Sequence, residues 1–300
     1  MKVLITGATG LVGREIAELC FDKGIEVHYL STSKHKLNET TIGKGFYWDP
    51  QSNVIDDACF EGVSAIINLA GSSIAKRWTP SYKQKIIRSR IDGLNLIYDR
   101  LENISHQVSN IISASAIGIY PSSQTKYYEE DETQKANSFL GTVVEQWEST
   151  VQKFSNLGCK VSIVRIGLVL SQNGGVFEKM SKPISLGVGA PFGDGKQWQS
   201  WIHVEDLADI FLFVLENKIT GVINGVAPNP VSNSELTSVI AKQMGKPIIL
   251  PKTPKFAMQL VLGEMHQLLF ESQRVSCKRL ESLGFVFEYH HLAPAIHSLL

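Results

Sequence analysis

Three glycines, at positions 7, 10 and 13, follow the short apolar run 3–6 and precede a helical pattern that begins at Arg14. The order is strand, tight turn, helix N-terminus. Such a corner suits a dinucleotide, because glycines let the backbone approach a pyrophosphate and the helix start offers unpaired N–H groups and a positive dipole end. Gly7, Thr9, Gly10, Leu11, Val12 and Gly13 are the residues expected to cradle it. A turn that only packs a helix on a strand would also use glycine, but position and flanks favour the nucleotide. The end of the next strand selects the dinucleotide. NAD-binding folds place an acid there, about 20 residues past the glycines, for the ribose 2′-OH. Residues 29–34 read Tyr-Leu-Ser-Thr-Ser-Lys and contain none. Ser31, Thr32 and Lys34 accept a 2′-phosphate that a carboxylate would repel, so the expected cofactor is NADP rather than NAD. A solvated loop charge is the alternative role for Lys34. Leu69, Ala70 and Gly71 close a third strand-to-loop junction, small enough at 70 and 71 for a ribose to pass close, although a plain tight turn reads the same way.

These positions need a scaffold, and the pattern of the first ~170 residues supplies one. Strand-like runs at 3–6, 26–30, 65–69, 110–113 and 160–166 alternate with helical runs at 14–23, 80–101 and 138–154. Thr79-Pro80 is a cap followed by proline in the first turn. The alternation predicts an α/β fold, a Rossmann-type doubly wound parallel sheet. Residues 1–170 form the expected NAD(P)-binding domain, with returning segments from about 200–230. Region 171–300 is expected to be a smaller substrate or cap region. Within it, 173–198 is glycine-rich and loop-like, 204–216 and 232–244 are helical, 221–224 is a short strand, and 251–300 is mostly helical. Its expected place is over the carboxyl edge of the sheet, where open α/β folds bind ligands.

Bulk composition narrows the function classes. Lys and Arg number 29 and Asp and Glu 29, so no basic stripe points to nucleic acid. No run approaches the roughly 18 apolar residues of a membrane span. Cys20, Cys59, Cys159 and Cys277 are too scattered for zinc or a redox pair, and the doublet His290-His291 has no partners at ligand spacing, so no metal is expected. The cytoplasm is the expected compartment.

Further along, Ser113-Ala114-Ser115-Ala116-Ile117-Gly118-Ile119-Tyr120 joins the glycine corner and Asn68–Gly71 in a recognisable set. So do Arg77-Trp78-Thr79, Ser89-Arg90, Gln146-Trp147-Glu148, residues 165–170, Ser200-Trp201-Ile202-His203 and residues 227–231. The chain resembles an atypical extended short-chain dehydrogenase/reductase, of the nucleoside-diphosphate-sugar epimerase-like family with a C-terminal domain of unknown function. The resemblance runs nearly the whole length. It implies an NADP-dependent epimerase-like or oxidoreductase-like protein acting on a small polar or nucleotide-linked substrate.

Active extended members carry a Tyr-x-x-x-Lys pair on the helix after the serine strand. Here the corresponding positions are Phe139 or Leu140 and Val143 or Val144, none of which transfers a proton. A cofactor-binding sensor or scaffold with little turnover is therefore the alternative reading. Ser115 matches the serine that hydrogen-bonds a substrate oxygen. Tyr120 is a weaker substitute acid and Glu130 a weaker substitute base, if burial raises its pKa. Ser113 and Arg165 are expected beside the cofactor. Arg77, Trp78, Arg90 and Trp201 are expected on the substrate side, the arginines as clamps for a phosphate or carboxylate. His203 is read as a loop-fixing residue and not as a base. Relatives of this kind dimerise through two long helices, here 80–101 and 138–154, so a homodimer is expected.

Overall fold

The computed structural model describes residues 1–38 and 43–300. In chain order its first half runs β1 (Lys2–Thr6), α1 (Leu11–Asp22), β2 (Glu26–Ser31), β3 (Lys44–Asp49), β4 (Val54–Ile55), β5 (Ala65–Asn68), α2 (Pro80–Asn103), β6 (Asn110–Ala116), β7 (Tyr127–Tyr128), α3 (Phe139–Gln152) and β8 (Lys160–Ile166). The second half runs β9 (Leu168–Ser171), α4 (Gly175–Ser185), β10 (Trp198–Gln199), β11 (Trp201–His203), α5 (Val204–Glu216), β12 (Gly221–Gly225), β13 (Val231–Ser232), α6 (Asn233–Gln243), α7 (Lys255–Leu262), α8 (Gln267–Phe270), β14 (Arg274–Val275), α9 (Lys278–Ser282) and α10 (Leu292–Ser298).

Eight strands form one sheet in the order β12-β8-β6-β5-β1-β2-β3-β4. Every pairing is parallel except β3 with β4. Val3, Leu4 and Ile5 of β1 and Ala65, Ile66 and Ile67 of β5 are all buried. Such unbroken apolar strands need cover on both faces, which is the habit of parallel sheets. Helix α1 packs against α5, and α2 against α3. The apolar side chains of α3, Leu140, Val143, Val144, Trp147 and Val151, are buried within the chain. They are therefore not a free surface for a second copy. No helix among the described residues is long and apolar enough to cross a membrane.

Local chemistry explains the helix starts. Thr79 Oγ1 accepts from the Tyr82 N–H at 3.2 Å and Pro80 opens α2. Ser138 Oγ accepts from the Gly141 N–H at 3.1 Å at the start of α3. His203 caps α5 through Nδ1, and burial lowers its pKa, in keeping with a neutral structural ring.

The short strands β4, β7, β9, β10, β11, β13 and β14 add to the elements expected from sequence, and three further differences have a physical reason. Strand β6 runs on to Ala116, because its pairing with β8 continues as far as Ile166. Strand β3 is additional to the expected strands; its buried Phe46 and Trp48 alternate with Gly45 and Tyr47 in a period of two. The glycine-rich stretch 173–198 holds α4, which Pro183 inside the helix disguised. At the C-terminus the short helices are tied down by β14, which pairs with β7 of the sheet domain.

Candidate functional site

The chain leaves β1 in one direction towards β2, and leaves β5 in the other towards β6. The crevice between the carboxyl ends of β1 and β5 is thus the switch point at which open α/β sheets bind ligands. Both walls are built for close approach. Gly7 has φ +75°, and a Cβ there would sit 3.0–3.1 Å from the backbone of Leu69 and Ala70. A Cβ on Gly13 would lie 2.3 Å from the Gly7 oxygen and 2.6 Å from Ala8 Cα. The Gly10 N–H donates to the Gly7 carbonyl at 2.9 Å, closing the turn. Helix α1 starts at Gly10 with no side-chain cap and no acid in its first turn, so its leading N–H groups remain available to an anion.

Three buried side chains pin these strand ends together. Thr6 Oγ1 donates to Asn68 Oδ1 at 2.8 Å and accepts from the N–H groups of Leu69 and Ala70, each at 3.1 Å. Asn68 Nδ2 donates to Ser113 Oγ at 2.9 Å, and Ser113 donates to the Ala114 carbonyl at 3.0 Å. Ser113 is fully buried, so its hydroxyl shapes the crevice from behind and does not face it.

Beyond β2 the polar cluster is larger than the sequence suggested. Ser31 Oγ is taken up in its own turn with Ser33, whereas Thr32 and Lys34 are exposed. Lys34 Nζ lies 5.2 Å from the Tyr47 ring centroid. The addition is Lys36. Buried Tyr29 donates its hydroxyl to the Lys36 carbonyl at 2.5 Å, and Lys36 Nζ reaches Thr9 Oγ1 at 3.5 Å, directly over the glycine turn. A second lysine two residues after Lys34 was the available signal.

A cleft of about 190 Å³ opens past the carboxyl ends of β6 and β8. Its walls are Ala116–Gly118 and Ile166–Leu168 at the strand ends, Leu140, Val143, Val144 and Trp147 of α3, and Trp198–Ser200, Leu268, Glu271 and Gln273 of the later half. Arg90 of α2 completes it. The apolar residues that replace the Tyr-x-x-x-Lys pair therefore floor this cleft. Arg90 Nη1 donates to the carbonyls of Ser72 and Ile86 at 3.2 and 3.0 Å, and its Cζ lies 5.1 Å from the Trp147 ring centroid. Among the described residues no carboxylate pairs with it. Burial lowers its pKa to about 10, which leaves it charged at neutral pH.

Sequence reasoning named Ser115, Tyr120, Glu130 and Arg165, and the structure brings all four together, but beneath the cleft. Ser115 Oγ donates to Glu148 Oε1 at 2.6 Å. Arg165 grips the same carboxylate bidentately, Nε to Oε1 at 2.8 Å and Nη2 to Oε2 at 2.9 Å. Its Nη1 donates to the Tyr120 hydroxyl at 2.9 Å, and Tyr120 donates to Asn224 Oδ1 at 2.7 Å. Glu130 Oε1 accepts from the Asn224 N–H at 2.9 Å. Burial, the largest single influence, works against the Arg165 charge, but the hydrogen bonds and charges of Glu148 and Tyr120 together outweigh it and raise its pKa. Burial also raises the pKa of Tyr120 and of Glu130. The Ser115 proton is committed to Glu148, and none of these four side chains lines the cleft. Glu148, within Gln146-Trp147-Glu148, is the member that sequence spacing does not join to this group.

Two aromatic expectations change. Trp201 is fully buried and donates to the Asn229 carbonyl at 2.9 Å, so it is core, while Trp198 lines the cleft. Trp78 is buried against Ile86, Leu140, Val143 and Phe139 and donates to the Ile74 carbonyl, so it supports the cleft floor from outside. Arg77 is exposed, near Gly263 of the C-terminal region.

Comparison with known proteins matches this geometry. Residues 3–226 match the NAD dependent epimerase/dehydratase family, and residues 253–299 match a domain of unknown function, DUF1731. The chain is 34% identical to the chloroplastic epimerase family protein SDR39U1 homolog of Arabidopsis thaliana, covering 100% of this chain and 87% of that one. It is 33% identical to an epimerase family protein of Staphylococcus aureus, covering 100% and 99%. The crystal structure of human epimerase family protein SDR39U1 with NADPH superposes with a TM-score of 0.86 at 27% identity, over 100% of this chain and 99% of that one. A UDP-glucuronic acid 4-epimerase from Bacillus cereus, solved with UDP-glucuronic acid and NAD, shares the fold at a TM-score of 0.78 and 16% identity, over 99% and 96%. With the glycine corner, the switch-point crevice and this match along most of its length, the chain belongs to the NAD-dependent epimerase/dehydratase family.

Proposed function

We propose that this protein binds NADPH in preference to NADH and acts as an oxidoreductase-like or epimerase-like protein on a small, anionic polar substrate held in the cleft. The observation that carries this reading is the pairing of an uncapped α1 N-terminus with an acid-free, lysine-bearing end of β2. Gly7, Thr9, Gly10, Leu11, Val12 and Gly13 would hold the pyrophosphate; Thr32, Lys34 and Lys36 the 2′-phosphate; Leu69, Ala70 and Gly71 the adjacent ribose. The similar human protein, solved with NADPH, supports the phosphate preference. The cleft lies on the β5, β6 and β8 side of β1, opposite to β2, so a dinucleotide crossing β1 with its 2′-phosphate end beyond β2 would point its other end towards the cleft. The bound cofactor would supply hydride chemistry there. Arg90, lacking an acid of its own, is placed to pair with a substrate carboxylate or phosphate.

One observation favours the second reading, a cofactor-binding sensor. The Ser115 proton is committed to Glu148 and the cleft floor is apolar where active relatives carry tyrosine and lysine. Calorimetric titration with NADPH and NADH tests the first reading. NADPH should bind at least tenfold tighter, Gly13→Val should abolish binding, and Lys36→Ala should weaken NADPH about tenfold while leaving NADH unchanged. Equal affinity for the two dinucleotides would overturn the preference, and no binding of either would overturn the reading itself.

A further inference from the structure

The C-terminal domain of unknown function reaches into the cleft with one acid. Glu271 lies between α8 and β14, and the chain on both sides of it is locked to the rest of the molecule. Gln197 Nε2 donates to the Leu269 carbonyl at 2.9 Å. The Ser272 N–H donates to Ser122 Oγ at 3.0 Å, and Ser272 Oγ donates to the Ser123 carbonyl at 2.8 Å while accepting from the Trp198 N–H at 3.0 Å. Glu271 takes no part in that lock. Its side chain lines the cleft, facing space shared with the ends of β6 and β8. Its carboxylate receives one long hydrogen bond, from Gln273 Nε2 at 3.4 Å, and among the described residues it has no cation partner.

That arrangement is costly for an acid with only a structural task. Glu148, bound to Ser115 of β6 and Arg165 of β8, is held by an arginine and a serine. Glu271 is held by almost nothing, yet on a rigid backbone. We infer that Glu271 is the proton-transfer group of this cleft, supplied by the C-terminal domain in a chain whose α3 carries no tyrosine–lysine pair. The inference rests on the NADPH reading above. Its carboxylic acid gives a proton to the oxygen of a substrate carbonyl as the carbonyl carbon accepts a hydride from a reduced nicotinamide. C=O becomes CH–OH and the carboxylate remains; in the reverse direction the carboxylate takes the alcohol proton as hydride leaves for an oxidised nicotinamide. Burial raises the Glu271 pKa, which keeps the protonated form available nearer neutrality. Arg90 is the other charged side chain on the cleft wall, and Arg274 is turned aside onto the rings of Tyr127 and Trp198, at 5.2 and 4.4 Å.

The test needs no substrate. In protein labelled with 13C at the glutamate carboxyls, the Glu271 resonance is assigned by its loss in Glu271→Gln, and its titration is followed with NADPH bound and then with NADP+ bound. The oxidised ring carries a positive charge that the reduced ring lacks. A carboxyl facing it should therefore titrate about one pH unit or more lower in the NADP+ complex, the direction that an added positive charge on the cleft wall imposes. Glu271→Gln keeps an acceptor for Gln273 and should bind NADPH as the wild type does. Glu271→Asp should retain the dependence on nicotinamide charge. A midpoint identical in the two complexes overturns the proposal while leaving the NADPH reading intact. Loss of NADPH binding in Glu271→Gln overturns it too, by making Glu271 a cofactor-holding residue. Failure of the wild type to bind NADPH sinks both.

Discussion

Two arginines near the carboxyl ends of β6 and β8 sit under opposite conditions. Arg165, on β8, is buried and complete: a bidentate carboxylate, a tyrosine hydroxyl and the face of the Tyr120 ring at 5.0 Å surround it. Arg90, on α2, lies against Trp147 and spends one nitrogen on two carbonyls, and no acid answers its charge. Their pKa values move in opposite directions, Arg165 up because Glu148 and Tyr120 together outweigh burial and Arg90 down to about 10 because burial prevails. A buried charge whose partners are all internal is architecture. A charge of the same kind that the fold leaves unanswered, on the wall of a cleft, is an appeal to a ligand. The contrast divides the region into a closed network under the strand ends and an open site above them.

The strongest way to break this division is to remove Glu148. Glu148→Gln leaves the Arg165 cation buried without its counter-charge, and should cost about 3–5 kcal/mol in denaturant unfolding, as breaking one side of a buried pair does. Replacing both, Glu148→Leu with Arg165→Met, should recover much of that loss, because an apolar pair no longer needs hydration. NADPH affinity should hardly move in either, since neither side chain faces the crevice. A cost below about 1 kcal/mol for Glu148→Gln would mean that the network is not the structural element its geometry suggests.

Arg90→Met is the matching experiment and should look different. No internal ion pair is lost, so stability should stay within about 1 kcal/mol of the wild type. The loss should appear in ligand binding instead. With NADPH present, malonate, a small dicarboxylate, should raise the thermal midpoint of the wild type and not that of Arg90→Met, because only a bound anion stabilises by mass action. If malonate stabilises both equally, Arg90 is not the anion site.

These two regions also show what could be read from sequence. The glycine corner was legible because its constraints are local: Gly7, Gly10 and Gly13 answer to backbone atoms within a few residues, and to one junction at 69–70. The strand–helix alternation was legible for the same reason, whereas the missing tyrosine–lysine pair was legible only through the family resemblance. Arg165 could be singled out by resemblance, but its partner Glu148 sits 17 residues away on another element, and nothing in a one-dimensional pattern joins them. Ser115 could be aligned with a catalytic serine, whereas the direction of its proton depends on that same acid. Trp198 and Trp201 are three apart and look alike in sequence; the pairing of β11 with β9 sends one to the core. Glu271 was invisible, because it becomes a cleft residue only when β14 docks on β7, about 150 residues upstream in the chain.

The smallest effect tests the open half of the contrast through pH. Burial raises the folded-state pKa of Glu271 and of Glu130 above the ordinary 4.5. Between 4.5 and those raised values the folded protein binds more protons than the unfolded chain, so the stability of wild type should fall as pH rises through that window. One proton contributes no more than about 1.4 kcal/mol per pH unit to that slope. Acids such as Glu132 and Asp194, whose pKa values are lowered by their hydrogen bonds from Lys126 and from the Lys196 N–H, give a slope of opposite sign at lower pH. The informative quantity is therefore a difference between variants. Glu271→Gln should flatten the descending slope by part of one proton, and Glu130→Gln by a similar amount. Added NADP+ should separate the two. It should remove much of the Glu271 contribution, by favouring the ionised carboxylate, and leave that of Glu130, which faces Asn224 inside the closed network. Identical behaviour of the two variants in the presence of NADP+ would erase the distinction between the acid that the fold has used and the acid that it has left for chemistry.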